Sequence, residues 1–220
     1  MTSTHVIAVG PFAADVATSL TRREGVDASP SLFAQGVHVD TSLLRPAGAY
    51  VLVTSRHDPH LLVRVGDIVA SWGAALVPVV HETRRLRCGP ILLPGGTGAC
   101  AACFEARSVQ NWSIGESFQG LYDFYRRDAA GPEGHLSSHT LLAAGLAQWG
   151  LSAVRAGESA HGAYRTVSLV KPQVTEGRTT GVHGCARCYP RAGAGARRDA
   201  SWRELSDHLA RAGAPAEEDA

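Results

Sequence analysis

A chain of 220 residues, 45% of them hydrophobic, with a formal charge of +1, has the size of one domain, or of one domain with an appendage, and enough apolar material to bury a core. The near-zero charge excludes a strong field directed at nucleic acid or at an anionic membrane, so neither is expected as a partner. No apolar run approaches the roughly 20 residues that span a bilayer. The start, MTSTHVIAVG, lacks the basic segment of a signal peptide, and the expected location is the cytoplasm.

The first predicted element is a buried strand at His5–Val9, ended by Gly10. Phe12, Val16 and Leu20 then fall on one face of a helix. A loop rich in Gly, Ser and Pro follows, with a short strand at Val37–Val39. Tyr50–Thr54 reads as the next strand, Leu61–Trp72 as a helix with apolar positions at Leu62, Val65, Val69 and Trp72, and Ala75–Val80 and Arg87–Leu93 as two more strands. Strands alternating with helices predict βαβ units and a largely parallel, Rossmann-like sheet with helices on its faces.

Beyond Cys103 the pattern changes. Short helices are expected at Phe104–Val109 and Phe118–Tyr125, and a longer one at Ser137–Gly150 with a Ser cap and a Gly stop. Thr166–Lys171 and Val174–Thr180 flank Pro172-Gln173 and predict a small antiparallel hairpin. Residues 1–190 are read as one domain. From Arg191 onward a solvated linker, an amphipathic helix at Trp202–Ala212 and a polar tail are expected.

Five cysteines in a reducing compartment are poor candidates for disulfides. Four of them form two C-x-x-C pairs, Cys100 with Cys103 and Cys185 with Cys188. That is the pattern of a tetrahedral four-cysteine zinc site, in which four thiolates neutralise the ion and close its coordination sphere. The turn Pro94-Gly95-Gly96 would aim the first pair at the metal, and the distant second pair would be clipped to the sheet. The alternative is a redox pair or incidental thiols. A closed site leaves no position for a metal-bound water, so catalysis by zinc is not expected.

The turn after the first strand, VGPFAADV, has the place of a nucleotide-binding βα turn. Phosphate cradling needs glycines there. Beyond Gly10 the turn carries Phe12 and Asp15, which would block and repel a phosphate, so ATP is not expected as a cofactor. Cys88 is either a nucleophile or a small buried hydrophobe, and the second is favoured. His57 and Asp58 lie beyond the carboxyl end of the Tyr50–Thr54 strand, where α/β sheets hold ligands, and form the candidate ligand loop, with a loop of solvated charges as the equal alternative. His183 would pack beside the zinc loop. Arg84, Arg85 and Arg87 suit a peptide or protein surface better than a nucleic-acid stripe. No nucleophile–base pair emerges, and no catalytic residue is assigned.

Taken together, HVIAVGPFAADVATSL, the segment from YVLVTSRHDPH to ALVPVV, GPILLPGGTGACAACFEAR and the late HGCARC resemble the ubiquitin-activating-enzyme-like (ThiF/MoeB-like) fold. The nearer resemblance is to its divergent ocin-ThiF-like branch in the biosynthesis of thiazole/oxazole-modified peptides, over Val6 to about Cys188. The resemblance implies zinc on Cys100, Cys103, Cys185 and Cys188. It also implies a non-catalytic role beside a YcaO-type ATP-dependent cyclodehydratase that converts Cys, Ser or Thr of a precursor peptide into azolines. The expected partners are that enzyme and the precursor's leader peptide, directly or through another subunit, and a homodimer is a further expected state. Such proteins often carry an N-terminal winged-helix peptide clamp, which is not expected here because the first strand begins at His5. A second function class stays open: an adenylating enzyme that activates a sulfur-carrier protein or a peptide C-terminus.

Overall fold

The computed structural model of the chain describes residues 3–22, 26–28, 40–96, 98–110, 120–121, 123–124 and 134–188. The strand expected at Val37–Val39, half of the helix at Phe118–Tyr125, and everything from the linker to the tail lie outside the described residues.

Strand β1 (Thr4–Val9) pairs in parallel with β2 (Val26–Ala28) on one side and with β3 (Ala49–Thr54) on the other, and β3 pairs in parallel with β4 (Ala75–Glu82). Every residue of β3 is buried, as the near-continuous apolar run of a strand covered on both faces requires. Helix α1 (Pro11–Thr21) follows β1, and α2 (Pro59–Ser71) connects β3 to β4. Each opens with proline in its first turn, where the missing N–H costs nothing, and Asp58 caps α2 by accepting from Leu61 N at 3.0 Å.

The sheet then reverses. β5 (Arg85–Cys88) folds back antiparallel on β4, and β6 (Ala163–Ser168) and β7 (Val174–Arg178) continue antiparallel, giving the order β2-β1-β3-β4-β5-β6-β7. The parallel half matches the sequence expectation, and the late hairpin is present with its first strand three residues earlier than the expected Thr166–Lys171. The strand expected at Arg87–Leu93 does not run that far. Pro90 has no N–H for a ladder, and beyond it Leu92 makes only an isolated bridge to Leu76.

Two further helices complete the layers: α3 (Ala101–Gln110) and α4 (Ser137–Ala156). One core cluster joins α1 and α4 to Val6, Val51, Val77, Leu86 and Ile91 of the sheet region. The other joins α2 and α3 to Ile7, Leu52 and Leu76. Alternate residues of each strand thus feed opposite faces.

Helix α4 corrects two expectations. It starts after Leu136 with no side-chain cap, and it runs through Gly150 to Ala156. Gly150 is a packing residue: a Cβ there would overlap Val77 and lie 3.0 Å from Cys88 Sγ. The missing side chain lets the helix touch the sheet region at Val77, Cys88 and Ile91. Among the described residues no helix is long and apolar enough to cross a membrane.

Candidate metal centre and the polar end of the sheet

Cys100 stands at the entrance of α3, where its carbonyl accepts from Phe104 N at 3.2 Å. Cys103 is buried one turn further on, and its Sγ is 3.8 Å from Cys100 Sγ. That separation is the edge of a tetrahedron with metal–sulfur bonds of about 2.3 Å. The backbone N–H of Val182 points at Cys103 Sγ over 3.3 Å. Arg107, one turn after Cys103, donates to the Gly181 carbonyl at 3.2 Å. The chain that leads into the second pair is therefore held beside α3 by two hydrogen bonds.

Residues 183–188 form two tight turns, with Gly184 at φ 73. The ligand atoms of Cys100, Cys103, Cys185 and Cys188 all lie within 4.8 Å of one another, as four cysteines that could hold a metal ion must. All four are free of disulfides. Four soft thiolates suit zinc. His183 is exposed.

The loop carrying Cys100 is clasped by a residue that sequence reasoning missed. His161 Nδ1 accepts from Leu93 N at 3.1 Å, so its Nε2–H is left to donate to Ala99 O at 3.0 Å. Gly96 lies against the ring, and a Cβ there would overlap it. Burial lowers the His161 pKa below its ordinary value, while the hydrogen bond to Ala99 opposes this. A neutral imidazole is the form this clasp requires, because its Nδ1 must accept. No local spacing could have found it, since His161 is 68 positions from Leu93.

At the carboxyl ends of the parallel strands, the two residues of the candidate ligand loop separate. Asp58 is a helix cap. His57 is largely enclosed, its side chain 11% exposed. Arg87 Nη2 donates to its Nδ1 at 3.0 Å, and its Nε2 reaches Glu105 Oε2 at 3.0 Å. Arg87 also bonds Glu82 Oε1 at 2.9 Å and the Gly89 carbonyl, and lies 4.5 Å from the Phe104 ring centre. Burial alone would raise the Glu82 pKa, but Arg87, Arg85 and His57 together bring it below the ordinary carboxylate value. Arg87 is only 3% exposed, which removes it from the arginine surface expected with Arg84 and Arg85. The network draws on β4, β5, α3 and the β3–α2 loop, so no motif announces it. Among the described residues, Glu105 Oε1 and Thr54 Oγ1 have no partner.

The turn after β1 is filled from within. Gly10 has φ 92, and a Cβ there would overlap Ser55. Ser55 Oγ accepts from Ala13 N at 3.3 Å, taking a helix-start N–H that a phosphate would use. Pro11 has none to offer, and Phe12 is 2% exposed. Three histidines also gather here: His81 Nε2 is 3.4 Å from His139 Nδ1, His135 bonds Asp15 at 2.7 Å, and the Phe12 ring packs on both His81 and His135. Cys88 is fully buried, and its burial pushes the thiol up to about 12. It is a packing residue facing Gly150 and no nucleophile at neutral pH.

No protein-family model and no curated protein matches the chain. Solved structures do. The heterocyclase TruD aligns with a TM-score of 0.53 at 17% identity over 84% of this chain and 27% of its own. E. coli MccB with selenomethionine MccA aligns at 0.56 and 11% over 85% and 66%, and the E. coli microcin synthetase McbBCD complex at 0.60 and 11% over 83% and 67%. At such identities the likeness is one of fold. The chain is thus a mixed α/β protein with a cysteine cluster able to hold a metal, folded like a part of these larger proteins. It spans little more than a quarter of TruD.

Proposed function

We propose that the chain is a non-catalytic partner subunit of a YcaO-type cyclodehydratase that forms azolines in a ribosomally made peptide, and that it helps to recruit the precursor. The observation that carries this reading is the combination of a fold like parts of TruD and McbBCD with a βα turn that Ser55 and Phe12 close to phosphate. Cys100, Cys103, Cys185 and Cys188 hold zinc in this reading. Bound there, zinc supplies charge neutralisation for four thiolates and a cross-link between distant segments. The residues around it orient that cross-link: Val182 N–H donates to Cys103, Arg107 holds Gly181, and His161 fixes the loop before Cys100.

Each azoline forms with loss of one water as a Cys, Ser or Thr side chain attacks the preceding amide, with ATP consumed by the partner enzyme. The test is a reconstituted mixture of partner enzyme, precursor and ATP, with and without this chain, followed by mass spectrometry. Water loss should fall sharply when the chain is omitted. Full conversion without it, with no complex on size-exclusion chromatography, would defeat the proposal. ATP titrated into the isolated chain should give no calorimetric signal at millimolar concentration. Tight binding with pyrophosphate exchange would instead favour an adenylating enzyme.

A further inference from the structure

The sheet ends at β7, and among the described residues nothing pairs with its outer edge. Which of its amides face outward follows from the ladder. Ser168 N bonds Gln173 O, and Thr179 N bonds Gly162 O. Antiparallel pairs alternate between bonded and non-bonded, so the backbone groups of residues 173, 175, 177 and 179 point to β6. Those of Val174, Glu176 and Arg178 point away from the sheet. Val174 and Glu176 are exposed.

The two faces beside this edge differ in chemistry. On the α4 side, Val174 stands opposite Val167 in a groove of about 590 Å³ walled by Leu141, Leu142 and Trp149. Leu141 is 69% exposed. On the other side, Thr175 stands opposite Thr166 in a groove of about 280 Å³ that contains Arg84, Arg85 and Lys171. Arg85 is paired with Glu82; Arg84 and Lys171 add positive charge to the same wall.

We propose that an extended peptide of alternating apolar and acidic residues adds to β7 as an eighth strand. Its backbone bonds the outward amides of Val174, Glu176 and Arg178. Because side chains alternate along a strand, one set enters the apolar groove beneath α4 while the other meets Arg84 and Lys171. Main-chain bonds supply affinity in this mode, and the two walls supply selectivity. The inference deepens, and rests on, the reading that this chain handles a peptide.

The probe is a fluorescein-labelled peptide of alternating Val and Glu, titrated with the full chain and read by anisotropy. A peptide of the same residues in block order, and one alternating Val with Lys, should each bind about tenfold more weakly or worse. Glu176→Pro removes an outward N–H and no β6–β7 backbone hydrogen bond; Glu176→Ala loses the same ion pair with Arg165 but keeps that N–H, so the proline variant should abolish binding while the alanine variant retains it. Lys171→Glu should weaken binding of the alternating Val–Glu peptide and strengthen that of the Val–Lys peptide. Should the proline variant not fold, the Val–Glu peptide N-methylated at alternate residues makes the same test on the native chain. The site is overturned if the block-order peptide binds equally well, or if neither the proline nor the methyl groups matter. If azoline formation depends on this chain while the Val–Glu peptide does not bind, this inference falls and the partner-subunit reading stands.

Discussion

His161 and Leu93 are joined by a hydrogen bond of 3.1 Å from the Leu93 backbone N–H to the imidazole Nδ1. The bond, with its counterpart to the Ala99 carbonyl, makes one side chain the clasp of the loop that delivers Cys100. His161→Gln keeps an acceptor and a donor but not the ring that spaces them, and His161→Ala keeps neither. Removing a group that orients metal ligands costs about tenfold or more in metal affinity. Zinc release from His161→Ala to a chromogenic chelator should therefore be faster than from the native chain, with Gln intermediate. Equal rates for all three would show that the clasp does not serve the thiols.

For the thiols themselves, the expectation is one zinc per chain at about 2.3 Å from each sulfur, measured by elemental analysis and X-ray absorption. Metal binding that gathers distant segments is also folding free energy. Cys185→Ser should lose the metal and lower the melting temperature together. Freshly prepared protein with no zinc, or with a disulfide at either pair, would contradict this.

The Arg87 network predicts an asymmetry between neighbours. Arg87→Met leaves Glu82 and the His57–Glu105 pair, all largely enclosed, without their shared guanidinium. Breaking a buried pair in this way costs about 3–5 kcal/mol. Arg85 is an exposed partner of the same Glu82, and Arg85→Ala should cost less than about 1 kcal/mol. Denaturant unfolding of the two variants distinguishes them, and similar losses would mean that Arg87 is not the keystone.

The pH dependence has a definite sign. His81 is held below its ordinary value of 6.5, first by burial and then by His139 and His135, against a hydrogen bond with the Ser55 backbone. Burial lowers His5 and His161 in the same direction. Below about pH 6.5 the unfolded chain takes up these protons more readily than the folded one. Stability is thus complete above that pH and declines as pH falls toward the lowered values. Melting temperatures from pH 7.5 to 5 should fall, and His81→Phe should flatten part of the slope. A flat profile in the native chain would contradict the argument.

The sequence by itself determined the elements whose signal is local. The strand at Tyr50–Thr54 and the helix at Leu61–Trp72 were legible because burial on two faces, or on one helical stripe, imposes its own period on neighbouring residues. The four cysteines were legible because each ligand pair must sit within one turn of chain. Only the tertiary structure decided the rest. It made Gly150 a contact point instead of a stop, since the sheet behind it leaves no room for a Cβ. It turned Asp58 into a cap, sent His57 to Arg87 and Glu105, and brought His161 across to Leu93. These contacts join residues far apart in the chain, and their geometry depends on how strands stack into a sheet. No spacing along the sequence records it.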